Sequence, residues 1–149
     1  MGRASRAKAR ARTENPPVAK ISATIIDFGQ PLIAQLAEEP SAAVQRATFE
    51  FIVQVWNVHV LAMPAWGQPQ PLADMRTTLL GQAKLGEIDA LHAFEDLSRR
   101  RRLKRFASDE RAVSHWELRH RPDGTVNLFC EARGHTAGAA AQSGSTPST

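Results

Sequence analysis

The residues of this chain whose types and spacing could do chemistry are cations clustered in one short run. Guanidinium and ammonium groups at high density attract phosphate and carboxylate groups, so the run predicts contact with an anionic partner. Four consecutive helical residues spread around the whole helix axis, so one or two of them must face the protein itself. Six of the seven residues 99–105 are cationic: Arg99, Arg100, Arg101, Arg102, Lys104 and Arg105.

Charge is segregated along the rest of the sequence. Residues 1–20 hold six basic residues and one acidic residue, residues 21–98 hold three and nine, and residues 99–149 hold ten and five. An acidic middle therefore lies between two basic ends. The partner of residues 99–105 is then an acidic protein surface, nucleic acid, or the acidic middle of the same chain. If the partner is nucleic acid, the basic segment 3–12 would be an N-terminal arm that makes a second contact with it.

A polar stripe along the most apolar predicted helix offers a candidate lining for a pocket. The stripe consists of Arg46, Glu50, Gln54 and Asn57. If Glu50 were buried it would serve as a general base, with His59 near the same pocket, and an enzyme is therefore a third hypothesis. The same stripe also fits the solvent-facing side of a helix.

Two aromatic residues are candidate anchors for a protein partner. Trp66 lies in a loop stiffened by Pro64, Pro69 and Pro71. Such an aromatic residue either covers the core as a lid or is exposed as an anchor for a partner. Phe129 is the second candidate, because it falls on the outer face of a predicted hairpin.

Signatures of catalysis and of bound cofactors are missing from the sequence. It has no nucleophile elbow, phosphate-binding loop, dinucleotide fingerprint, zinc-finger spacing or helix-turn-helix signature. His115 and His120 point to opposite faces of a strand, so they do not form a metal site together. Cys130 is expected to be a small buried residue. We therefore predict no catalytic residue, no metal and no cofactor.

The elements that must position these residues are mainly helical. Apolar spacing predicts a helix from residue 21 that is kinked or divided at Gly29 and Pro31. A central helix over residues 42–63, capped by Ser41, is apolar on two sides and must be packed on two sides. Shorter helices are predicted over residues 72–81 and 86–105. The fold class is thus mainly α, with about four helices around the central one and a C-terminal two-stranded β-hairpin.

The register of the hairpin follows from the period of two in its strands. A three-residue loop, Pro122 to Gly124, places all the alternating apolar residues on one face, whereas a two-residue Asp-Gly loop would divide them between faces. The predicted pairs are Trp116 with Cys130, Leu118 with Leu128, His120 with Val126, and His115 with Glu131.

Composition sets the limits of the folded domain. Residues 1–18 are predicted to be a disordered basic arm, residues 19–132 one domain, and residues 133–149 a disordered tail. No apolar run is long enough to span a membrane, and one cysteine cannot form an internal disulfide, so a cytoplasmic location is expected. The oligomeric state is not predicted.

Several short motifs follow one another along the chain: Lys20-Ile21-Ser22, Asp27-Phe28, Pro31-Leu32, Val55-Trp56-Asn57, Arg101-Arg102, Phe106, Asp109 and Arg111, and finally the hairpin. This order resembles a group of small bacterial proteins of unknown function. The resemblance implies an α-helical domain closed by a hairpin in a bacterial cytoplasm, and it implies no activity.

These observations favour a non-catalytic protein-interaction or regulatory module with a basic docking patch. The alternatives are a nucleic-acid-binding protein that uses residues 99–105 and the N-terminal arm, and an enzyme with a small pocket near Glu50.

Overall fold

The computed structural model describes residues 20–38, 41–67, 71–86 and 88–134. Within them the fold is mainly α-helical with a C-terminal antiparallel β-hairpin, as the sequence predicts. The predicted N-terminal arm and residues 135–149 of the predicted tail lie outside the described residues. The elements are α1 (Ile21–Phe28), α2 (Gln30–Ile33), a 3-10 turn (Ala34–Glu38), α3 (Ala42–Leu61), a 3-10 turn (Pro64–Trp66), α4 (Leu72–Gln82), α5 (Ala90–Arg101), α6 (Lys104–Ala107), β1 (Arg111–His120) and β2 (Val126–Gly134).

The first predicted helix is divided at Gly29 into α1 and α2. Pro31 is accommodated in the first turn of α2, where its missing N–H costs no helical hydrogen bond. Glycine is required at position 29 for a second reason. A Cβ atom there would lie 2.7 Å from the Ile52 side chain, so the absence of a side chain lets the chain pass close to α3.

Helix α3 is the centre of the fold. The Ser41 hydroxyl caps its N-terminus by accepting a hydrogen bond from the Val44 N–H, as the sequence predicts. Both of its predicted apolar sides are covered, because α1, α2, α4, α5 and β1 all contact it. Its buried residues are Thr48, Phe49, Phe51, Ile52, Val53, Val55, Trp56 and Val60.

The predicted helix over residues 86–105 is wrong at both ends. Gly86 has a φ of +65°, and α5 begins only after Asp89, whose carboxylate caps the N–H groups of Leu91 and His92. At the other end α5 stops at Arg101, and Leu103 adopts an extended conformation before the single turn of α6. This break turns Phe106 into the core, where it is 1% exposed. The periodicity of apolar residues does not reveal this break in the helix, because almost every residue of the run 99–105 is cationic and carries no apolar pattern.

The hairpin has the predicted register. Trp116 pairs with Cys130, and the other three predicted pairs are also present. Gly124 has a φ of +90° and its N–H donates to the Arg121 carbonyl, which is the expected turn closed by a glycine. An irregularity between Val113 and His115 was not predicted.

Strand β2 continues through residues 133 and 134, which were predicted to begin a disordered tail. They pair with Ala112 and Arg111 of β1, so backbone hydrogen bonding extends the strand past its apolar residues. Strand β1 packs on α3, and β2 packs on α1.

Three aromatic rings form the centre of the core where α1, α3 and α6 meet. Phe28, Trp56 and Phe106 pack edge to face, with ring centroids 5.1, 5.7 and 6.1 Å apart. We call these three residues the aromatic triad. The run of cations at residues 99–105 lies directly against it.

Candidate docking surface and anion cavity

The structure divides the cations of residues 99–105 into an inward set and an outward set. Arg101 belongs to the inward set, with 5% of its surface exposed. Its guanidinium donates to the backbone carbonyls of Phe106 and Asp109, and it lies over the Trp56 ring with its central carbon 4.6 Å from the ring centroid. Burial lowers the pKa of Arg101, while the negative charge of Asp109 opposes this effect. Arg101 is therefore too buried to contact a partner protein directly.

Arg100 and Arg105 join the run to α1. The Arg100 guanidinium donates to the Phe28 carbonyl at 2.8 Å and to the Asp27 carbonyl at 2.6 Å, which satisfies carbonyl groups at the C-terminal end of α1. Arg105 donates to both carboxylate oxygens of Asp27, at 2.8 and 3.1 Å. The hydrogen bond from Arg105 lowers the pKa of Asp27, although partial burial acts in the opposite direction.

The inward set consists of Arg100, Arg101 and Arg105, although Arg105 itself is exposed. All three guanidinium groups lie over rings of the aromatic triad. Arg100 and Arg105 lie 5.8 and 4.7 Å from the centroid of the Phe106 ring, next to Arg101 over Trp56. For the buried Arg101 this contact contributes about 2 kcal/mol, because its guanidinium is desolvated. Three of the six cations thus stabilise the fold.

The outward set consists of Arg99, Arg102 and Lys104. Arg99 forms an exposed ion pair with Asp96 one turn earlier on α5. Arg102 and Lys104 are exposed, and the side chain of neither has a carboxylate or hydrogen-bond partner among the described residues. Leu103 lies between them and exposes 40% of its surface. We call Arg102, Leu103 and Lys104 the basic docking surface.

A cavity of about 320 Å³ opens beside this surface. Its lining includes two guanidinium-bearing residues, and within the described ranges no carboxylate lines it. His59 hydrogen-bonds through Nε2 to the Ser98 hydroxyl at 2.8 Å. Burial, followed by the charges of Arg101 and Arg102, lowers the pKa of His59 to about 4. The lining residues are His59, Met63, Arg101, Arg102 and Ala107.

The predicted polar stripe on α3 does not form one pocket. Arg46 is exposed and lies over the Trp116 ring of the hairpin, 4.9 Å from its centroid. Glu50 is exposed and hydrogen-bonds Gln54 at 3.4 Å. Gln54 and Asn57 both line a groove of about 390 Å³ between α3 and α4, so only these two of the four stripe residues share it. Glu50 and His59 line different cavities, so the geometry does not join them as the enzyme hypothesis requires.

Asn57, the last residue of the stripe, has a structural role that the sequence did not reveal. Its side-chain amide donates to the Val113 carbonyl at 3.0 Å and accepts from the Val113 N–H at 2.8 Å. It therefore satisfies the backbone of β1 at the irregularity, on the edge that has no strand neighbour among the described residues. The Trp56 indole donates to the next available carbonyl along this edge, that of Arg111, at 2.8 Å.

Trp66 and Phe129 differ in how they are held. Trp66 is half-buried against the core, and its indole N–H donates to the Glu110 carbonyl at 3.0 Å, so it covers the core as a lid. Arg133 lies over its outer face. Phe129 exposes 38% of its surface on the outer face of the hairpin, beneath the guanidinium of Arg119 at 3.9 Å.

Cys130 has the environment of a packing residue. Burial raises the pKa of its thiol to about 11, and a hydrogen bond with Ser22 acts weakly in the opposite direction. Its backbone N–H donates to the Ser22 hydroxyl at 2.8 Å, which ties β2 to α1. Within the described residues no group of three or more His, Cys, Asp or Glu side chains is arranged to hold a metal ion.

Comparison with known proteins identified no relative of this chain. No protein-family model, curated protein or solved structure matched it. Among the described helices, none has both the length and the apolar character that a membrane-spanning segment needs. The site must therefore be judged on its own geometry.

Sequence reasoning located the cations but missed how they divide. The missed residues are Asp27, which receives Arg100 and Arg105, and Ser98, which hydrogen-bonds His59; His59 itself was predicted near a pocket, but with Glu50. One signal in the sequence pointed to the inward set: Leu103 and Phe106 are the only large apolar residues within and just after the run. If the chain buries one of these two apolar residues, some of the neighbouring cations must also face the protein.

Proposed function

We propose that the protein is a non-catalytic interaction module that binds an acidic segment of a partner protein on the basic docking surface. The observation that carries the proposal is the arrangement of two exposed cations, Arg102 and Lys104, around the exposed Leu103. Neither cation has a carboxylate partner among the described residues. The fitting partner is a chain segment that carries carboxylates around one apolar side chain.

The composition of this surface favours a protein partner over nucleic acid. Phosphate contacts require several unpaired cations on one face, and three of the six cations in the run are engaged with carbonyls, Asp27 and aromatic rings. An exposed leucine contributes nothing to a phosphate contact, whereas it adds apolar area to a protein interface. Nucleic acid is therefore an outcome that the experiment below must distinguish.

A bacterial cytoplasm as the place of action belongs to the same proposal. It is supported by the single cysteine, by the absence of a long apolar run in the sequence, and by the resemblance to small bacterial helical proteins.

The test uses three labelled probes and fluorescence anisotropy. The first is a peptide of alternating Glu and Leu, the second is the same peptide with Ser in place of Leu, and the third is a single-stranded oligonucleotide of equal charge. We expect the Glu/Leu peptide to bind most tightly, because it alone matches both the cations and Leu103. Preferential binding of the oligonucleotide, with an affinity that falls steeply as salt is added, would establish nucleic acid instead.

Matched variants locate the surface. The double variant Arg102→Glu/Lys104→Glu should weaken binding of the Glu/Leu peptide by about tenfold or more, the loss of two favourable charge contacts. The control Lys20→Glu/Lys84→Glu changes the net charge equally at two exposed residues outside the surface and should retain binding. Equal losses in the two double variants would contradict the proposal, because they would reflect net charge alone.

A further inference from the structure

The cavity beside the basic docking surface has an unbalanced positive charge. Arg101 and Arg102 line it, and no carboxylate oxygen of a described residue lies within 4.0 Å of the Arg101 guanidinium. The neighbouring Asp109 directs its carboxylate to Arg111, so it hydrogen-bonds Arg101 through its backbone carbonyl and its negative charge acts on Arg101 only from a distance. A buried charge without a carboxylate paired to it is costly, so a negatively charged ligand in this cavity would be stabilising.

The hydrogen-bonding capacity of Arg101 is also incompletely used. Its Nε atom is fully buried and has no hydrogen-bond partner among the described residues. Its two Nη atoms donate to the carbonyls of Phe106 and Asp109, and one also contacts the Met63 sulfur. The backbone carbonyls orient this guanidinium, but because they are neutral groups they do not neutralise its positive charge.

His59 supplies a neutral donor on another wall of the cavity. The hydroxyl of Ser98 has one described hydrogen-bond partner, His59 Nε2 at 2.8 Å. The hydroxyl proton is satisfied within this pair only if Ser98 donates and Nε2 accepts. The imidazole proton then lies on Nδ1, and no described residue accepts a hydrogen bond from that atom of this cavity-lining residue.

We propose that this cavity binds the phosphate group of a small molecule, held by Arg102, the field of Arg101 and the His59 Nδ1–H. Phosphate monoesters carry about −1.5 to −2 charges at neutral pH, which matches the two guanidinium groups better than one carboxylate does. Guanidinium also pairs with phosphate in a two-pronged geometry. The cavity is open to solvent, and its volume of about 320 Å³ leaves room for more than a bare phosphate ion.

This site goes beyond the proposed docking function and does not require it. The two share Arg102 but differ in their other residues, since Leu103 and Lys104 belong to the surface and His59 and Arg101 to the cavity. Leu103→Ser should therefore weaken the Glu/Leu peptide and leave phosphate binding unchanged. Failure of one proposal can thus be told apart from failure of the other.

The experiment is isothermal titration calorimetry of the full chain with inorganic phosphate, glycerol phosphate and acetate. We expect saturable binding of at least one phosphate probe and weaker binding of acetate. Tighter binding of glycerol phosphate would identify an ester as the ligand class, and tighter binding of inorganic phosphate would identify the free ion. Either result supports the site.

Two charge-neutralising variants provide the matched comparison. Arg102→Gln should weaken phosphate binding by about tenfold, as expected for losing a charge-assisted contact. Lys104→Gln removes one equal charge next to the cavity but outside its lining, and it should change the affinity by less than about twofold. Both residues are exposed, so both variants should fold. No saturable phosphate binding, equal weakening in the two variants, or acetate binding as tightly as phosphate would each overturn the proposal.

Discussion

Arg101 lies over the indole of Trp56, with its guanidinium carbon 4.6 Å from the ring centroid, in a site where it is only 5% exposed. The most buried cation of the run thus rests on the most buried aromatic residue of α3. This contact joins the end of α5 to the centre of the fold. The other cations are arranged around it, with Arg100 and Arg105 toward α1 and Arg102 and Lys104 toward solvent.

Arg101 should therefore be a stability residue. Arg101→Ala removes hydrogen bonds to the Phe106 and Asp109 carbonyls and the contact with Trp56, and we expect the free energy of unfolding to fall by about 3 kcal/mol. Urea denaturation measures the change. Arg102→Ala removes the same side chain from an exposed position and should stay within about 0.5 kcal/mol of wild type. Equal changes in the two variants would show that Arg101 is not part of the core.

Asn57 should matter for stability because it completes the backbone of β1. Asn57→Ala leaves the N–H and the carbonyl of buried Val113 without partners, so we expect a loss of about 2–3 kcal/mol in the free energy of unfolding. Gln54→Ala, one turn earlier on α3, removes only an exposed contact with Glu50 and should cost under about 1 kcal/mol. A cost for Asn57→Ala as small as that of the control would contradict this role.

His59 should make the protein less stable in mild acid. Its pKa is about 4 in the folded state and about 6.5 in the unfolded state, so protons bind preferentially to the unfolded chain below pH 6.5. Stability is then lost as the pH falls, by roughly 2 kcal/mol between about pH 7 and pH 5. His59→Gln should flatten this slope, as measured by urea denaturation at each pH. Exposed His115→Gln should leave it intact, and a slope that survives His59→Gln would refute the assignment.

At a pH below the range of the His59 effect, protonation of Asp27 and Asp109 should lower the free energy of unfolding further. Hydrogen bonding from Arg105 lowers the pKa of Asp27, and contacts with Arg111 outweigh burial to lower that of Asp109. Their contribution is present above the unfolded carboxyl pKa and is lost as the pH falls through the folded values. The His59 effect is thus separable, because it begins at higher pH.

Cys130 should react slowly with alkylating reagents in the folded protein. Burial raises its pKa to about 11, so the reactive thiolate is scarce near neutrality and access to the sulfur is restricted. We expect iodoacetamide to modify folded Cys130 at least about tenfold more slowly than the same residue in urea-unfolded protein. Mass spectrometry follows the reaction. Equal rates in the two states would show an open thiol and reopen a chemical role for it.

The structure also decides which charge changes can test docking. Reversing the charge of Arg100 or Arg101 would break contacts with α1 or with the aromatic triad, so loss of binding would reflect loss of folding. Arg102 and Lys104 avoid this problem because their side chains are exposed and form no ion pair or hydrogen bond with a described residue. A binding effect confined to these two residues is therefore interpretable.

Local patterns in the sequence determined a large part of the fold. The period of two in the hairpin selected its register, because only one loop length placed Trp116, Leu118 and their partners on one face. Helical periodicity and a capping hydroxyl located α3 and Ser41. These features depend on neighbours a few residues apart, and such neighbours are visible in a linear sequence.

The division of the cations was decided only by the tertiary structure. Six positive charges within seven residues look alike in sequence. Arg101 is buried because Trp56 and two carbonyls lie beside it, and Arg105 is paired because Asp27, 78 residues away, lies within hydrogen-bonding distance. Asn57 likewise has a structural role only because the backbone of β1 lies within hydrogen-bonding distance of its side chain. The energy of a polar group depends on its burial and on its partners, and long-range packing sets both.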